Sequence, residues 1–199
     1  MRRNAWMLAI ALGLLPVAAS AQGRADSHTG FTGAAGLMSG SLHADCSDCD
    51  GTTNKHNIGL FGAFGANLNP NVVLRADVYI WEHSETHVDK NATSDLDYFG
   101  GAVLWYPRAH SQYFVKGGIG IASITTQITQ QGLASDFKEI APMVQVGIGN
   151  DFRLGKTYSI TPFIDYLYGF SAKAKIDGAS SESKMTSSMF VLGAAVTWH

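Results

Sequence analysis

Two cysteines, Cys46 and Cys49, are the residues whose type and spacing most clearly suggest a chemical role. They are its only cysteines, and their C-x-x-C spacing suits a redox pair, half of a zinc site or a local disulfide. A redox pair would need a thioredoxin-like βαβ context, which the flanking sequence lacks. Zinc would need two further donors, and His43 and His56 flank the segment. We favour a disulfide that staples a loop, because the N-terminal segment described below indicates export to an oxidising compartment.

A second polar cluster follows at positions 83–89. His83, Glu85, His87 and Asp89 alternate along the chain, so they would share one face of a strand. Such a row can bind a transition metal or change charge at mildly acidic pH. Because no closed set of ligands is visible, we predict an ordinary solvated segment and assign no metal site, with His83 and His87 as weak candidates.

Charged residues also occur inside otherwise apolar segments. Arg75 and Asp77 alternate with Leu74, Ala76 and Val78, so the charges occupy one strand face and the apolar residues the other. Charges that are removed from bulk water need partners. If the charged faces meet in a closed interior, they predict a salt-bridge network that fills it, with a gated ion path as the alternative. The candidates are Arg75, Asp77, Asp97, Lys116, Glu139 and Asp165.

The elements that must position these residues are β-strands. Apolar residues recur at every second position over long stretches, which is the pattern of a strand with two unlike faces. We find no convincing helical period or capping pattern. The pattern predicts strands near 29–44, 54–67, 72–83, 95–107, 113–127, 137–153, 158–172 and 186–198.

The connections between these segments alternate in length. Short ones near 67–71, 107–111 and 154–157 separate longer polar ones. Short turns on one side and long loops on the other are typical of bacterial membrane barrels. The fold class is therefore predicted as all-β, an eight-stranded antiparallel up-and-down transmembrane β-barrel. Its long connections are predicted near 45–53, 84–94, 128–136 and 173–185.

The contrast between strand faces favours a membrane barrel over a soluble one. Lys116 shares its face with Gly118 and Gly120, and small residues beside charges suit the narrow interior of an eight-stranded barrel. Opposite faces carry bulky residues such as Ile160 and Ile164, which in a membrane barrel contact lipid. Aromatic residues near the short connections predict an interfacial girdle. The girdle residues are Tyr106, Tyr113, Phe152, Tyr158 and Trp198.

The N-terminal segment has the composition of a secretory signal peptide. Arg2 and Arg3 precede an apolar run, and small residues lead to Ala21, where we predict cleavage. Residues 1–21 would be the signal peptide and 22–199 the barrel domain. Cleavage removes two arginines and no acidic residue, so the formal net charge changes from −2 to −4. That charge disfavours nucleic acid as a partner.

Three internal segments and the closing strand resemble a known family. The segments are Tyr113–Gly120, Val146–Phe152 and Ile160–Tyr166, and the closing strand ends at Trp198 and His199. They are similar to the small outer-membrane barrels typified by the transmembrane domain of OmpA and by OmpX. The resemblance implies a multi-pass protein of the cell outer membrane, surrounded by lipid and lipopolysaccharide. It also implies that the barrel-assembly machinery recognises the last strand, where His199 departs from the usual aromatic end.

The resemblance restricts function only loosely, because one scaffold serves many roles. We expect a non-enzymatic protein without cofactors that stabilises the envelope and presents its external loops to surface or host ligands. A small channel for ions or small apolar solutes is one alternative. A membrane-embedded lipid-modifying enzyme is another, although no nucleophile and base can be paired from the sequence.

Overall fold

The chain forms a closed antiparallel β-barrel in the computed structural model. The structure describes residues 30–46, 53–87, 90–108, 111–130, 133–170, 172–176 and 179–199. The predicted signal peptide lies outside these ranges. Ten strand segments occur in chain order. They are β1 (Gly30–Cys46), β2 (Thr53–Asn69), β3 (Val72–His87), β4 (Lys90–Trp105), β5 (Tyr113–Gln130), β6 (Leu133–Asn150), β7 (Phe152–Leu154), β8 (Tyr158–Gly169), β9 (Ala172–Ile176) and β10 (Ala179–Trp198).

These segments form eight barrel strands, because β7 follows β6 after one residue and β9 continues the line of β8. Each barrel strand pairs antiparallel with the next along the chain. The first and last strands close the barrel through a ladder that runs from Gly33↔Trp198 to Cys46↔Met185. The predicted all-β, eight-stranded up-and-down barrel is confirmed. Within the described ranges, no helix has the length and apolar character needed to cross a membrane.

The outer surface carries a continuous apolar belt. On β5, Val115, Ile119 and Ile121 point outward and are 49%, 71% and 57% exposed. Further along the same face, Ser123 and Thr125 are polar. At ~3.3 Å per residue and a tilt near ~40°, the nine residues from Tyr113 to Ile121 rise about 20–25 Å, close to the height of a membrane-barrel band. On five other strands the belt ends at Leu37, Ile58, Ile80, Phe99 and Ile140.

Beyond the belt the strands continue where long loops were predicted. The β3–β4 ladder runs to His87↔Lys90, and the β5–β6 ladder runs to Gln130↔Leu133. The predictions of loops at 84–94 and 128–136 are therefore wrong, as is most of the loop predicted at 173–185. Alternating apolar residues reveal only the part of a strand that faces lipid, whereas Thr, Ser and Gln continue the hydrogen-bonded ladder into water. We call this end the extended rim and the opposite end the short-turn rim.

Two prolines lie where the ladders are interrupted. Pro142 falls between the β6–β8 ladder, which begins at Met143↔Gly169, and the β6–β9 pairs, which resume at Lys138↔Lys175. Pro162 falls between Gly149↔Phe163 and the short β7–β8 ladder. Proline has no N–H to donate, so these interruptions are the positions where a closed barrel tolerates it.

Candidate functional site

The barrel interior holds a buried group of charged and polar side chains, which we call the ion cluster. Its charged members are Arg75 and Asp77 on β3, Lys116 on β5 and Asp165 on β8. All four are less than a tenth exposed. Two cations face two carboxylates, so the cluster is formally neutral. Tyr79 and Gln145 complete it.

Lys116 lies at the centre of the ion cluster. Its Nζ is 3.1 Å from Asp77 Oδ2 and 2.5 Å from Asp165 Oδ2. It also donates a hydrogen bond to Tyr79 Oη, at 2.9 Å. One ammonium therefore joins three partners on β3 and β8, which are separated from β5 by other strands. Charge-assisted bonds of this kind are the stronger class of hydrogen bond.

The remaining members close the cluster around Lys116. Arg75 Nε is 2.6 Å from Asp77 Oδ1. Tyr79 donates to Asp165 Oδ2, and Gln145 Nε2 donates to Tyr79 Oη at 2.6 Å. Both carboxylates of the ion cluster, Asp77 and Asp165, therefore contact a cation and a neutral donor, since Gln145 also donates to Asp77.

Aromatic rings border the ion cluster. Lys116 Nζ lies 5.6 Å from the centroid of the Phe61 ring and 5.5 Å from that of Phe163. The Arg75 guanidinium lies 5.4 Å from the same Phe61 ring. Cations within ~6 Å of a ring face are attracted to it, so these rings contribute electrostatically as well as by filling space.

An apolar layer lies between the ion cluster and the extended rim. Trp81 and Leu167 are each one inward position beyond a cluster residue, and both are fully buried. On neighbouring strands, Leu96 and Met143 occupy the equivalent positions beside Tyr98 and Gln145. Large side chains thus fill the interior on this side of the charges. The apolar layer comprises Met38, Leu42, Trp81, Leu96, Ile124, Met143, Leu167, Met189 and Val191.

A second layer fills the interior toward the short-turn rim. Phe114 packs near Tyr106, with ring centroids 5.6 Å apart. Tyr106 donates to Asp151 Oδ2 at 2.8 Å, and Thr161 donates to the other carboxylate oxygen at 2.6 Å. The interior is therefore occupied on both sides of the ion cluster. Thr197 extends this group through a hydroxyl contact with Thr161.

Two predicted interior residues do not join the cluster. Glu139 is buried and points inward on β6, but its carboxylate oxygens have no hydrogen-bond partner among the residues that the structure describes. Asp97 was predicted to point inward and points outward instead, since its neighbour Tyr98 occupies the interior. The apolar belt on β4 ends at Phe99, so Asp97 lies beyond it, where an outward charge is solvated.

Next to Asp97, the outward face of the extended rim is acidic. Asp95 pairs across the ladder with Glu82. Partial burial raises the pKa of the Asp95 carboxyl, and the nearby carboxylates of Glu82 and Asp97 raise it further. The β3–β4 side of this rim therefore has a negative potential.

One member of the predicted aromatic girdle is misplaced. Tyr106 is only 2% exposed and points inward to Asp151, so the prediction that it faces lipid is wrong. The Tyr106 hydroxyl needs a hydrogen-bond partner when it is buried, and Asp151 provides one in the interior. The adjacent Trp105 is the aromatic residue that points outward. Tyr113, Phe152 and Tyr158 point outward and are exposed, and the indole of Trp198 lies over Gly33.

The other predicted sites are seen only in part. His83 contacts Glu85 Oε1 at 2.9 Å and the carbonyl of His56 at 3.1 Å, and its ring stacks on Trp81. The side chain of His87 lies outside the described residues. So do Cys49 and the side chain of Cys46, so the disulfide stays a prediction. In the described ranges, no three His, Cys, Asp or Glu side chains converge as metal ligands would.

The predicted network lacked three side chains of this site, namely Tyr79 and Gln145 within the ion cluster and Phe61 beside it. Tyr79 has the same parity as Arg75 and Asp77, so strand periodicity could have found it. Phe61 carries no polar group, and only the packing of distant strands places its ring beside Lys116.

Known barrels resemble this fold. Ail, the attachment invasion locus protein of Yersinia pestis, superposes with a TM-score of 0.58 at 9% identity, over 85% of this chain and 99% of that one. OprG of Pseudomonas aeruginosa gives 0.56 at 13% identity, over 89% and 100%. Neisserial surface protein A gives 0.54 at 15% identity, over 85% and 97%. At these identities the likeness concerns the fold alone.

Sequence comparison identifies the family directly. No curated protein matches the chain, but the family model of the outer membrane protein beta-barrel domain matches residues 7–197. That match spans nearly the whole chain, and the resemblance to small outer-membrane barrels is confirmed. The chain therefore belongs to the family of bacterial outer-membrane β-barrel proteins.

Proposed function

We propose that this protein is a non-conducting barrel of the outer membrane that stabilises the envelope and presents its extended rim to surface or host ligands. In this family the short turns are periplasmic, so the extended rim faces the exterior. The ion cluster serves as a polar plug that ties β3, β5, β6 and β8 together.

The filled interior is the observation that carries the proposal. Lys116 and its partners occupy the middle of the barrel, the apolar layer fills one side, and Tyr106 with Phe114 fills the other. Each of these side chains is less than a tenth exposed. A water-filled path would expose such groups, and eight-stranded barrels have interiors that side chains can fill.

The polar extension supports the second half of the proposal. Beyond the belt, the β3–β6 strands carry outward side chains such as Glu82, Asp95, Thr125 and Lys138. A rigid ladder holds these side chains in fixed positions, which suits recognition better than a flexible loop because less entropy is lost on binding.

A cell-level experiment tests the surface role. Deletion of the gene is expected to increase sensitivity to detergent and to reduce adhesion to surfaces. Complementation with the full chain should restore both properties, whereas the empty vector should not. If the deletion strain equals the parent in both assays, the surface role is contradicted.

A small ion channel is the second candidate, because two cations lie in the middle of the interior. Planar-bilayer recordings separate it from the plug. If the interior is plugged, we expect no discrete conductance steps from the wild type, from Arg75→Ala or from Lys116→Ala, because the apolar layer still seals the barrel. Steps in the wild type whose ion selectivity changes in Lys116→Ala would establish the channel instead.

A further inference from the structure

The outer surface carries an apolar groove across β4, β5 and β6. Phe99, Ile121 and Pro142 occupy consecutive positions in one cross-strand row. Phe170 continues the row, since its N–H donates to the Pro142 carbonyl at 3.0 Å. The two phenylalanine rings stand at the ends of the row, and a groove of about 540 Å³ lies among these side chains.

One outward position beside this row carries no side chain. In the next row toward the short-turn rim, Gly101 pairs with Ile119, which pairs with Val144. A Cβ built on Gly101 would meet no atom of the described residues within 4 Å. Glycine leaves this outward position open, although a larger residue would fit there.

A charged row lies above the groove, two outward positions toward the extended rim. Asp95 pairs with Thr125, Thr125 with Lys138, and Lys138 with Lys175. Carboxylates therefore occupy the β3–β4 end of the row, where Glu82 pairs with Asp95, and lysine positions occupy the β6–β9 end. Lys138 is exposed and lies four residues from Pro142 on the same face of β6, so ~13 Å of strand separates them.

We propose that the groove binds an acyl chain of a phosphorylated outer-leaflet lipid whose phosphate contacts Lys138. The apolar surface of the groove suits the acyl chain, and the Lys138 ammonium at the edge of the belt suits the phosphate. The carboxylates at the other end of the row direct the anion toward β6. This inference rests on the outer-membrane placement in the proposed function and does not require the plug.

Native mass spectrometry of the refolded full chain in non-ionic detergent tests the proposal. The probes are synthetic bisphosphorylated lipid A and its dephosphorylated form. The wild type should retain one lipid A. Lys138→Gln should weaken retention about fivefold, the effect of ~1 kcal/mol per lysine near an anionic surface, and should leave the dephosphorylated lipid unaffected. Gly101→Leu should reduce retention of both lipids.

Matched variants control for non-specific effects. Gly62 is also an outward glycine with open space at its Cβ position, so Gly62→Leu should leave retention unchanged. Lys156 lies in a turn at the short-turn rim, and Lys156→Gln should also have no effect. Boiling-dependent gel mobility verifies that each variant is folded.

Several outcomes would overturn the proposal. Equal retention in all variants would mean that lipid coats the belt without a defined site. An equal loss in Gly62→Leu and Gly101→Leu would have the same meaning, and displacement of lipid A by inorganic phosphate would show a simple anion site. A barrel that conducts ions yet loses lipid A in Lys138→Gln would contradict only the proposed function.

Discussion

Replacement of Lys116 by methionine is expected to lower the free energy of unfolding by about 3–5 kcal/mol. Methionine has a similar shape, so the loss comes mainly from charge and hydrogen bonding. Without the ammonium, Asp77 and Asp165 are both buried while Arg75 is the only cation left in the cluster. Reversible urea unfolding from lipid vesicles, followed by tryptophan fluorescence, measures the change.

A double variant separates charge balance from packing. Lys116→Met combined with Asp165→Asn leaves one cation and one carboxylate, so the cluster is again neutral. The double variant should therefore be more stable than Lys116→Met alone, and the two changes should be non-additive as expected for groups in contact. Lys156→Met, in an exposed turn, is the control and should change stability by less than about 0.5 kcal/mol. A Lys116→Met effect as small as that of the control would contradict the account of the ion cluster.

Strand periodicity was enough to predict the fold and most side-chain directions. On β8, Ile164 and Asp165 are adjacent and point to opposite sides, as their parity predicts. Side-chain directions can be predicted from parity in a membrane barrel, because every strand has one face in lipid and one in the interior. The same reasoning failed for Asp97, since outside the belt a charge can point either way.

The ends of the strands could not be predicted from apolar periodicity. Residues such as Thr125 and Gln127 lie beyond the apolar belt, where no apolar face is needed and the pattern that reveals a strand disappears. The hydrogen-bonded ladder nevertheless continues, because its energy depends on the backbone and on the partner strand. Apolar periodicity alone therefore assigns polar stretches of this kind to loops.

The pairing inside the ion cluster depends on information that one sequence does not display. Lys116 and Asp165 lie on strands separated by β6, and their contact depends on the register of two successive ladders. Periodicity shows that both point inward, but not that they lie at the same height. Gly147 lies between them in this register, opposite Asp165, where an added Cβ would overlap that carboxylate.

In this barrel the exposed apolar belt contacts lipid and the charged faces form the interior. Ile119 is the best position for a test of this arrangement, because it is the most exposed belt residue on β5 and lies near the middle of the belt. An arginine there would be placed in hydrocarbon. Ile119→Arg is therefore expected to destabilise the barrel by about 2–4 kcal/mol.

Thr125 provides the matched control on the same strand and the same face. It lies beyond the belt, between Asp95 and Lys138, so Thr125→Arg should change stability by less than about 0.5 kcal/mol. Both variants are compared with the wild type by urea unfolding from vesicles. A large loss for Ile119→Arg and none for Thr125→Arg is the predicted result. Equal, near-zero effects would mean that Ile119 faces water, and the membrane assignment would be wrong.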